Sequence, residues 1–238
     1  MINLSSFIAF HARRTPDRCA LKYRGENVSY ADFDLRIRQV GSWLVSCGIA
    51  PGDVVAVLMK NSTSFLELVF ATSHIGAVFL PINYRLSADE VGYIVGNSGA
   101  RLLVADEEFA AIVTGGAPVV LLGEVAQSSV TNLAPDIAPA PIHVRQPRDL
   151  MRLMYTSGTT DRPKGVMLSH GNLLAMSLCY LADVDQATPN DASLYAAPIS
   201  HGAGLYNFPH VRMGGRHVVP ETGGFDPDEV LNLGRQLD

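Results

Sequence analysis

The chain has 238 residues, 47% of them hydrophobic and only 17% charged, so it is long enough to bury one or two sizeable cores. That balance excludes a disordered tail, a collagen-like fibre and a disulfide-stapled miniprotein. With 18 basic residues against 23 acidic ones the net charge is −5, which offers no basic footprint for nucleic acid or for an anionic membrane.

Leu4, Phe7, Ile8 and His11 recur at helical spacing, and Thr15-Pro16 closes that first helix. A longer amphipathic helix starts near Ser29, with Phe33, Ile37, Val40, Leu44 and Cys47 on one face and Gly48 at its end. The turn Pro51-Gly52-Asp53 precedes Val54–Met59, a continuous apolar run of the kind found in buried parallel strands. A helix from Ser62 to His74 and a strand from Ala77 to Pro81 follow. Ser87-Ala88-Asp89-Glu90 has the form of a capping box, its helix stops near Gly96-Asn97, and Arg101–Ala105 is the next strand. Strand and helix thus alternate three times, which predicts an α/β fold with mostly parallel sheets flanked by helices. From Thr114 to Pro147 the composition changes: Pro135, Pro139, Pro141 and Pro147 lie among Ala, Ser and Gly. This reads as a loop-rich connector, and it divides the chain into a first α/β subdomain, 1–145, and the start of a second, 146–238. Beyond it come a strand at Leu150–Thr156, a Gly/Ser/Thr loop, a short strand at Gly165–Leu168 and a helix near Asn172. Ala192–Ala196 and His217–Val219 are further strands, and Asp226-Pro227-Asp228-Glu229 opens the last helix as N-cap, N1 proline and acidic first turn.

Cys19, Cys47 and Cys179 are widely spaced, odd in number and outside any C-x-x-C pattern, and so read as buried thiols in a reducing compartment. No basic segment followed by an apolar one opens the chain. The most apolar stretch, Leu68–Ile82, is broken by Ser73, His74 and Pro81 and is too short to span a bilayer. A cytoplasmic protein without a transmembrane segment is the expectation, with association of like chains left open.

The chemistry concentrates in Tyr155-Thr156-Ser157-Gly158-Thr159-Thr160-Asp161-Arg162-Pro163-Lys164-Gly165-Val166. Glycines let successive backbone N–H groups converge on an anion, hydroxyls add donors, and Lys164 supplies a point charge behind a stiffening proline. Taken alone this is a phosphate-binding loop, distinct from a Walker A motif because the G-x-x-x-x-G-K-[ST] spacing is absent.

The full string resembles the signature loop of the adenylate-forming superfamily, which includes acyl-CoA synthetases, firefly luciferase and the adenylation domains of peptide synthetases. Their pattern is an aromatic residue followed by T-S-G-[ST]-T-G-x-P-K-G-V, matched here except that Asp161 stands where glycine is usual. If that position needs a positive φ, Asp is among the less costly alternatives, and its carboxylate is expected to point outward toward Arg162. Met167–Leu173 is similar to the family's exit from the loop. Tyr30, Gly52–Val57 and Gly76–Asn83 resemble its N-terminal core motifs, and Ala197–Gly204 its P-x-x-H-x-x-G motif. The resemblance covers almost the whole chain.

The resemblance implies a two-step reaction. A carboxylic acid attacks the α-phosphorus of ATP, releasing pyrophosphate and leaving an acyl-adenylate; a thiol, usually that of coenzyme A, then displaces AMP. It implies that Thr156, Ser157, Gly158, Thr159, Thr160, Lys164 and Gly165 hold the phosphates, with Thr159 toward Mg²⁺. Lys164 and His201 are the catalytic candidates, His201 lining the acyl pocket near the reacting carboxylate; a structural role for this lone histidine is the competing reading. Gly202, Ala203 and Gly204 leave room for an acyl chain, which favours an aliphatic or fatty acid. Tyr206 and Phe208 flank the same wall, with burial in the core the simpler role for each.

The family's adenine motif Y-G-x-T-E, its ribose-binding T-G-D, the hinge and the C-terminal catalytic lysine do not occur in these 238 residues. The expectation is therefore the N-terminal portion of an ATP-dependent carboxylate–CoA ligase, inactive by itself. An adenylation enzyme that loads a carrier-protein thiol and a non-catalytic pyrophosphate-binding or interaction module are the alternatives.

Overall fold

The computed structural model describes residues 3–156 and 162–236. Helix α1 (Ser6–Arg14) leads into an antiparallel hairpin of β1 (Cys19–Tyr23) and β2 (Glu26–Ser29). Its turn is Arg24-Gly25 at φ 48° and 75°, the two positive values of a type I′ turn. Helix α2 (Tyr30–Ser46) follows directly, its first turn capped by the Ser29 hydroxyl accepting from the Asp32 N–H. Then come β3 (Val54–Leu58), α3 (Thr63–His74), β4 (Val78–Pro81), α4 (Ala88–Ser98), β5 (Leu102–Asp106), β6 (Val119–Leu122) and α5 (Glu124–Ser128). The rest of the chain forms β7 (Leu150–Thr156), β8 (Lys164–Ser169), α6 (His170–Cys179), β9 (Ala192–Leu194), α7 (Asn207–Met213), β10 (Arg216–Val218) and α8 (Pro227–Arg235).

Six strands make one sheet in the order β6-β5-β3-β4-β7-β8, parallel throughout except for the β7–β8 pair. Four make a second, β2-β1-β10-β9, parallel except for the first hairpin. The fold is the mixed α/β arrangement of mostly parallel sheets flanked by helices that the alternation implies. Both sheets draw strands from either side of residue 145: β7 and β8 extend the first, and β9 and β10 join β1.

The parallel strands are apolar on both faces because both are covered. Val55, Val57, Phe79, Leu102 and Val104 face inward onto α2, α3 and the second sheet. Ala56, Leu58, Leu80, Leu103 and Ala105 face outward onto Val91, Ile94 and Val95 of α4. Helix α3 lies wholly inside, so even its polar residues are buried, and Ser64, Thr72, Ser73 and His74 each find a partner. The Ser62 hydroxyl caps Phe65 N–H, Ser64 donates to the Ala126 carbonyl, Thr72 to that of Leu68, and His74 bonds Ser5 and the Ala140 carbonyl. Glu67 accepts from Val130 N–H (2.8 Å) and the Ser129 hydroxyl (3.1 Å), with the Arg36 guanidinium 3.7 Å away. Burial lifts its carboxyl to about 7 against the pull of these partners.

Two expectations are corrected. The 114–147 connector is not merely loop: it holds the edge strand β6 and helix α5, and its extended end is tied down where Asn3 donates to the His143 carbonyl and His143 N–H to that of His74. The cysteines are not core thiols, since Cys47 and Cys179 are exposed and Cys19 is half-buried. Cys47 falls just past the last turn of α2, where the helix face has left the core. No described helix is long and apolar enough to cross a membrane.

Candidate active site

Parallel strands deliver side chains and loops to their carboxyl ends, and the crevice there is where such sheets bind ligands. The carboxyl ends of β4 and β7 border a cleft of about 380 Å³. Pro81, Ile82 and Asn83 enter it from β4, Met154, Tyr155 and Thr156 from β7. Leu86, Glu90 and Ile94 close one side, because α4 is fixed at its start by the reciprocal Ser87–Glu90 capping box and turns this stripe inward. Ser200, His201 and Gly202 close the other.

Of the residues assigned to the phosphates, Thr156 ends β7 at the cleft and Lys164 stands opposite it in the antiparallel ladder, both exposed. Gly165 pairs with Tyr155, and a Cβ there would come within 3.1 Å of the tyrosine ring, so the glycine has a packing reason as well. Ser157, Gly158, Thr159, Thr160 and Asp161 lie outside the described residues. The flanks of that segment are held by one helix: the Tyr155 hydroxyl donates to Asn97 Oδ1 (2.7 Å), and the Arg162 guanidinium stacks 5.2 Å over the Tyr93 ring. Tyr93 and Asn97 are four residues apart on α4 and so share a face. Arg162 thus has an aromatic partner, while its expected pairing with Asp161 falls outside the described residues.

His201 is exposed to the cleft, its Nδ1 3.1 Å from the Ser200 hydroxyl. Partial burial, with the positive charges of Arg85 and Arg152 adding to it, holds the imidazole below its ordinary range and therefore neutral near pH 7. The turn that carries it leads directly into a single 3₁₀ turn, Gly202–Leu205, with His201 at its start, and is held from beneath. Asn61 donates to the carbonyls of Tyr195 (3.1 Å) and Ala197 (2.9 Å) and accepts from Ile199 N–H (2.8 Å). Arg152, fully buried on β7, donates to the carbonyls of Gly204 (3.1 Å) and Ile199 (3.3 Å). Burial lowers the guanidinium to about 10. Burying an ion costs several kcal/mol, and two charge-assisted hydrogen bonds return about 1.5–3 kcal/mol each. The arginine therefore adds little net stability, and its consequence is geometric.

Neither Asn61 nor Arg152 was singled out from the sequence. The signal for the second is an arginine between Met151 and Leu153 in an otherwise apolar strand. The small residues also divide in role. Gly202 lines the cleft with open space around it, whereas a Cβ on Gly204 would land on the Ile199 carbonyl. Phe208 is core, packed edge-on against Phe70 at 5.7 Å. Tyr206 corrects its expectation of burial: it is 49% exposed and sits against Tyr180.

Residues 8–236 match the family model of AMP-binding enzymes. The chain belongs to that family. Among curated AMP-binding relatives it is 35% identical over 239 residues to a feruloyl-CoA synthase of Amycolatopsis, covering 98% of this chain and 46% of that enzyme. It is 36% identical over 174 residues to the fatty acid–[acyl-carrier-protein] ligase ScoC of Streptomyces coeruleorubidus, covering 71% of this chain and 33% of the ligase. Among solved structures, ATP-bound MatB from Rhodopseudomonas palustris superposes with a TM-score of 0.84 at 32% identity, covering 99% of this chain and 48% of that one. The chain thus spans about half the length, or less, of these AMP-binding relatives.

Proposed function

We propose that the cleft is part of the active site of an AMP-forming carboxylate–CoA ligase, in which an acid and ATP give an acyl-adenylate and pyrophosphate, and coenzyme A then displaces AMP. The observation that carries this reading is that one cavity joins Thr156, at the edge of the phosphate loop, to His201, on the turn assigned to the acid. Membership of the AMP-binding family supports it. Because the chain covers 46% of the feruloyl-CoA synthase, the reaction is assigned to the full-length protein and not to these 238 residues alone.

Both partners in the first step are anions, so catalysis rests on positioning and on neutralising charge. The exposed ammonium of Lys164 and hydroxyl of Thr156 suit a polyphosphate, and in this reading Lys164 takes up the charge that develops on the departing pyrophosphate. A bound Mg²⁺ would neutralise phosphate charge further. Thr159, assigned to it, lies outside the described residues, and no cluster of three His, Cys, Asp or Glu able to hold a metal occurs among the described ones. In the tautomer in which the Ser200 hydroxyl donates to Nδ1, His201 would present Nε2–H to the carboxylate and orient it without trapping it as an ion pair. Ile82, Leu86, Ile94 and Met154 give the cleft an apolar lining, which favours an aliphatic acid.

The similarity to ScoC favours a second reading of the acceptor, a carrier-protein thiol in place of coenzyme A. ATP–pyrophosphate exchange with a panel of aliphatic and aromatic acids tests the first step, and thioester formation with coenzyme A or a holo carrier protein tests the second. Absence of exchange with every acid overturns the ligase reading.

A further inference from the structure

Arg152 stands where a parallel sheet has no need of charge. Its register partner on β4 is Phe79, whose ring lies 5.6 Å from the guanidinium, and the neighbouring side chains Met151 and Leu153 are core. It forms no ion pair among the described residues, and its Nε has no hydrogen-bond partner there. An apolar side chain would fill the position without the cost of burying a cation. What only the planar fork of an arginine achieves is to span two carbonyls at once, Ile199 and Gly204, five residues apart on either side of His201. The turn between them closes on itself: His201 N–H donates to the Pro198 carbonyl, and Gly204 N–H to that of His201. Gly204 lies so close to Ile199 that no side chain fits there, so the two accepting carbonyls are held side by side over the guanidinium.

We propose that Arg152 is a positioning residue for the acid substrate, fixing through the Ile199 and Gly204 carbonyls the turn that presents His201 to the cleft. This rests on the ligase reading for the identity of the ligand, but not for the contact itself. Arg152 is also a fixed cation beneath His201. Arg85, from the segment between β4 and α4, is the other cation acting on the imidazole. Glu90 lines the same cleft with its carboxylate occupied by the Ser87 cap. A turn held in this way keeps the imidazole neutral and at one height above the sheet, where a shift of an ångström would misplace the carboxylate.

Arg152→Met and Arg152→Lys are compared with wild type in two measurements on the full-length protein. In acid-dependent ATP–pyrophosphate exchange, the KM for the acid rises about tenfold in R152M and about threefold in R152K, while the KM for ATP stays within about twofold. A residue that only supported the fold would lower the melting temperature and the yield of active enzyme and leave the acid KM where it was. In ¹⁵N-correlated NMR of the imidazoles, with His201 assigned through H201Q, the His201 titration moves to higher pH in R152M, because a nearby cation is gone. In R152K, which keeps the charge but reaches one carbonyl instead of two, the His201 ring resonances shift. The NMR needs no turnover: a wild-type protein inactive with every acid overturns the ligase reading, while His201 still decides the positioning. An acid KM and a His201 titration both unchanged in R152M overturn the proposal. If R152M does not fold, unchanged acid KM and ring resonances in R152K do so.

Discussion

The two sides of the cleft are built in opposite ways. On the side proposed for the phosphates, Thr156 and Lys164 face each other across one antiparallel ladder, and the hairpin is fastened to a single helix through Tyr155–Asn97 and Arg162–Tyr93. On the side proposed for the acid, His201 rides on a turn at the start of a 3₁₀ segment whose supports, Asn61 and Arg152, are 138 and 52 residues from the backbone atoms they hold at Ile199 and Gly204. The first side is a local structure that can be changed one contact at a time. The second is a long-range one, in which a buried polar group removed from a core position disturbs a surface turn.

That difference predicts where substitutions register. Lys164→Ala should have the largest effect, lowering kcat for exchange about a thousandfold, some 4 kcal/mol, if its ammonium takes up the charge on the departing pyrophosphate as proposed. Circular dichroism should show the fold and melting temperature within experimental error of wild type, since the side chain is exposed and makes no hydrogen bond or ion pair among the described residues. A large loss of stability in that variant would make the phosphate side less local than described.

Asn61→Ala should do the reverse. It strands two carbonyls and one N–H of the 195–199 segment, and at about 1–3 kcal/mol for each unsatisfied buried group, part-relieved by water, the cost is about 3 kcal/mol. Chemical denaturation should show that loss, and exchange kinetics should show the acid KM rising ahead of the ATP KM.

Glu67 separates burial from position. It is as buried as Arg152, but it holds the 129–130 segment, away from the cleft. Its carboxyl is raised from 4.5 to about 7 by burial, so in the unfolded chain it ionises first as pH rises. Stability is fully present below pH 4.5 and lost as pH climbs to 7, by roughly 3 kcal/mol at most. The histidines work the other way: burial lowers His170 to about 4 and His217 to about 3, so acid destabilises through them. The difference between wild type and Glu67→Gln cancels those terms. That difference in melting temperature should grow in favour of the variant from pH 5 to pH 7.5, with the acid KM unmoved. A shifted acid KM would mean that any buried polar group in this core reaches the cleft, and the contrast between the two sides would fail.

The same contrast governs how much could be read from the sequence. Apolar runs and caps give β3, β4, β5, β7 and β8 and the starts of α2, α3, α4 and α8, because each signal is local: Ser87 and Asp226 cap as their neighbours imply, and Ser29 and Ser62, where two helices are expected to begin, prove to be caps as well. The residues assigned to the phosphates stand out for the same reason, as one continuous string, of which Thr156, Lys164 and Gly165 are described. The β1–β2 hairpin escapes because its turn is Arg-Gly and not the more familiar Asn-Gly, although Leu21, Tyr23 and Val28 alternate around it. Strand β6 escapes because four apolar residues within a proline-bearing stretch look like loop until β5 offers them a neighbour. Asn61 and Arg152 carry no local pattern at all. Their function exists only once the chain has brought residues 195–204 over them, a long-range contact that neither periodicity nor spacing encodes.

The smallest effect offers the sharpest test of locality. Tyr155→Phe keeps the ring that packs on Gly165 and lines the cleft, and removes only the hydroxyl that donates to Asn97. That bond joins partly exposed groups, so its loss should cost about 0.5–1 kcal/mol of stability. Because Tyr155 is adjacent to Thr156 and pairs with the residue after Lys164, loosening it should raise the ATP KM about twofold to threefold and leave the acid KM unchanged. Asn97→Ala should reproduce the effect, and the double variant should add nothing to it, since both remove the same bond. If the acid KM moved as much as the ATP KM, the hairpin and the His201 turn would respond as one body, and α4, which touches the hairpin at Asn97 and the cleft at Glu90 and Ile94, would be the element that joins them.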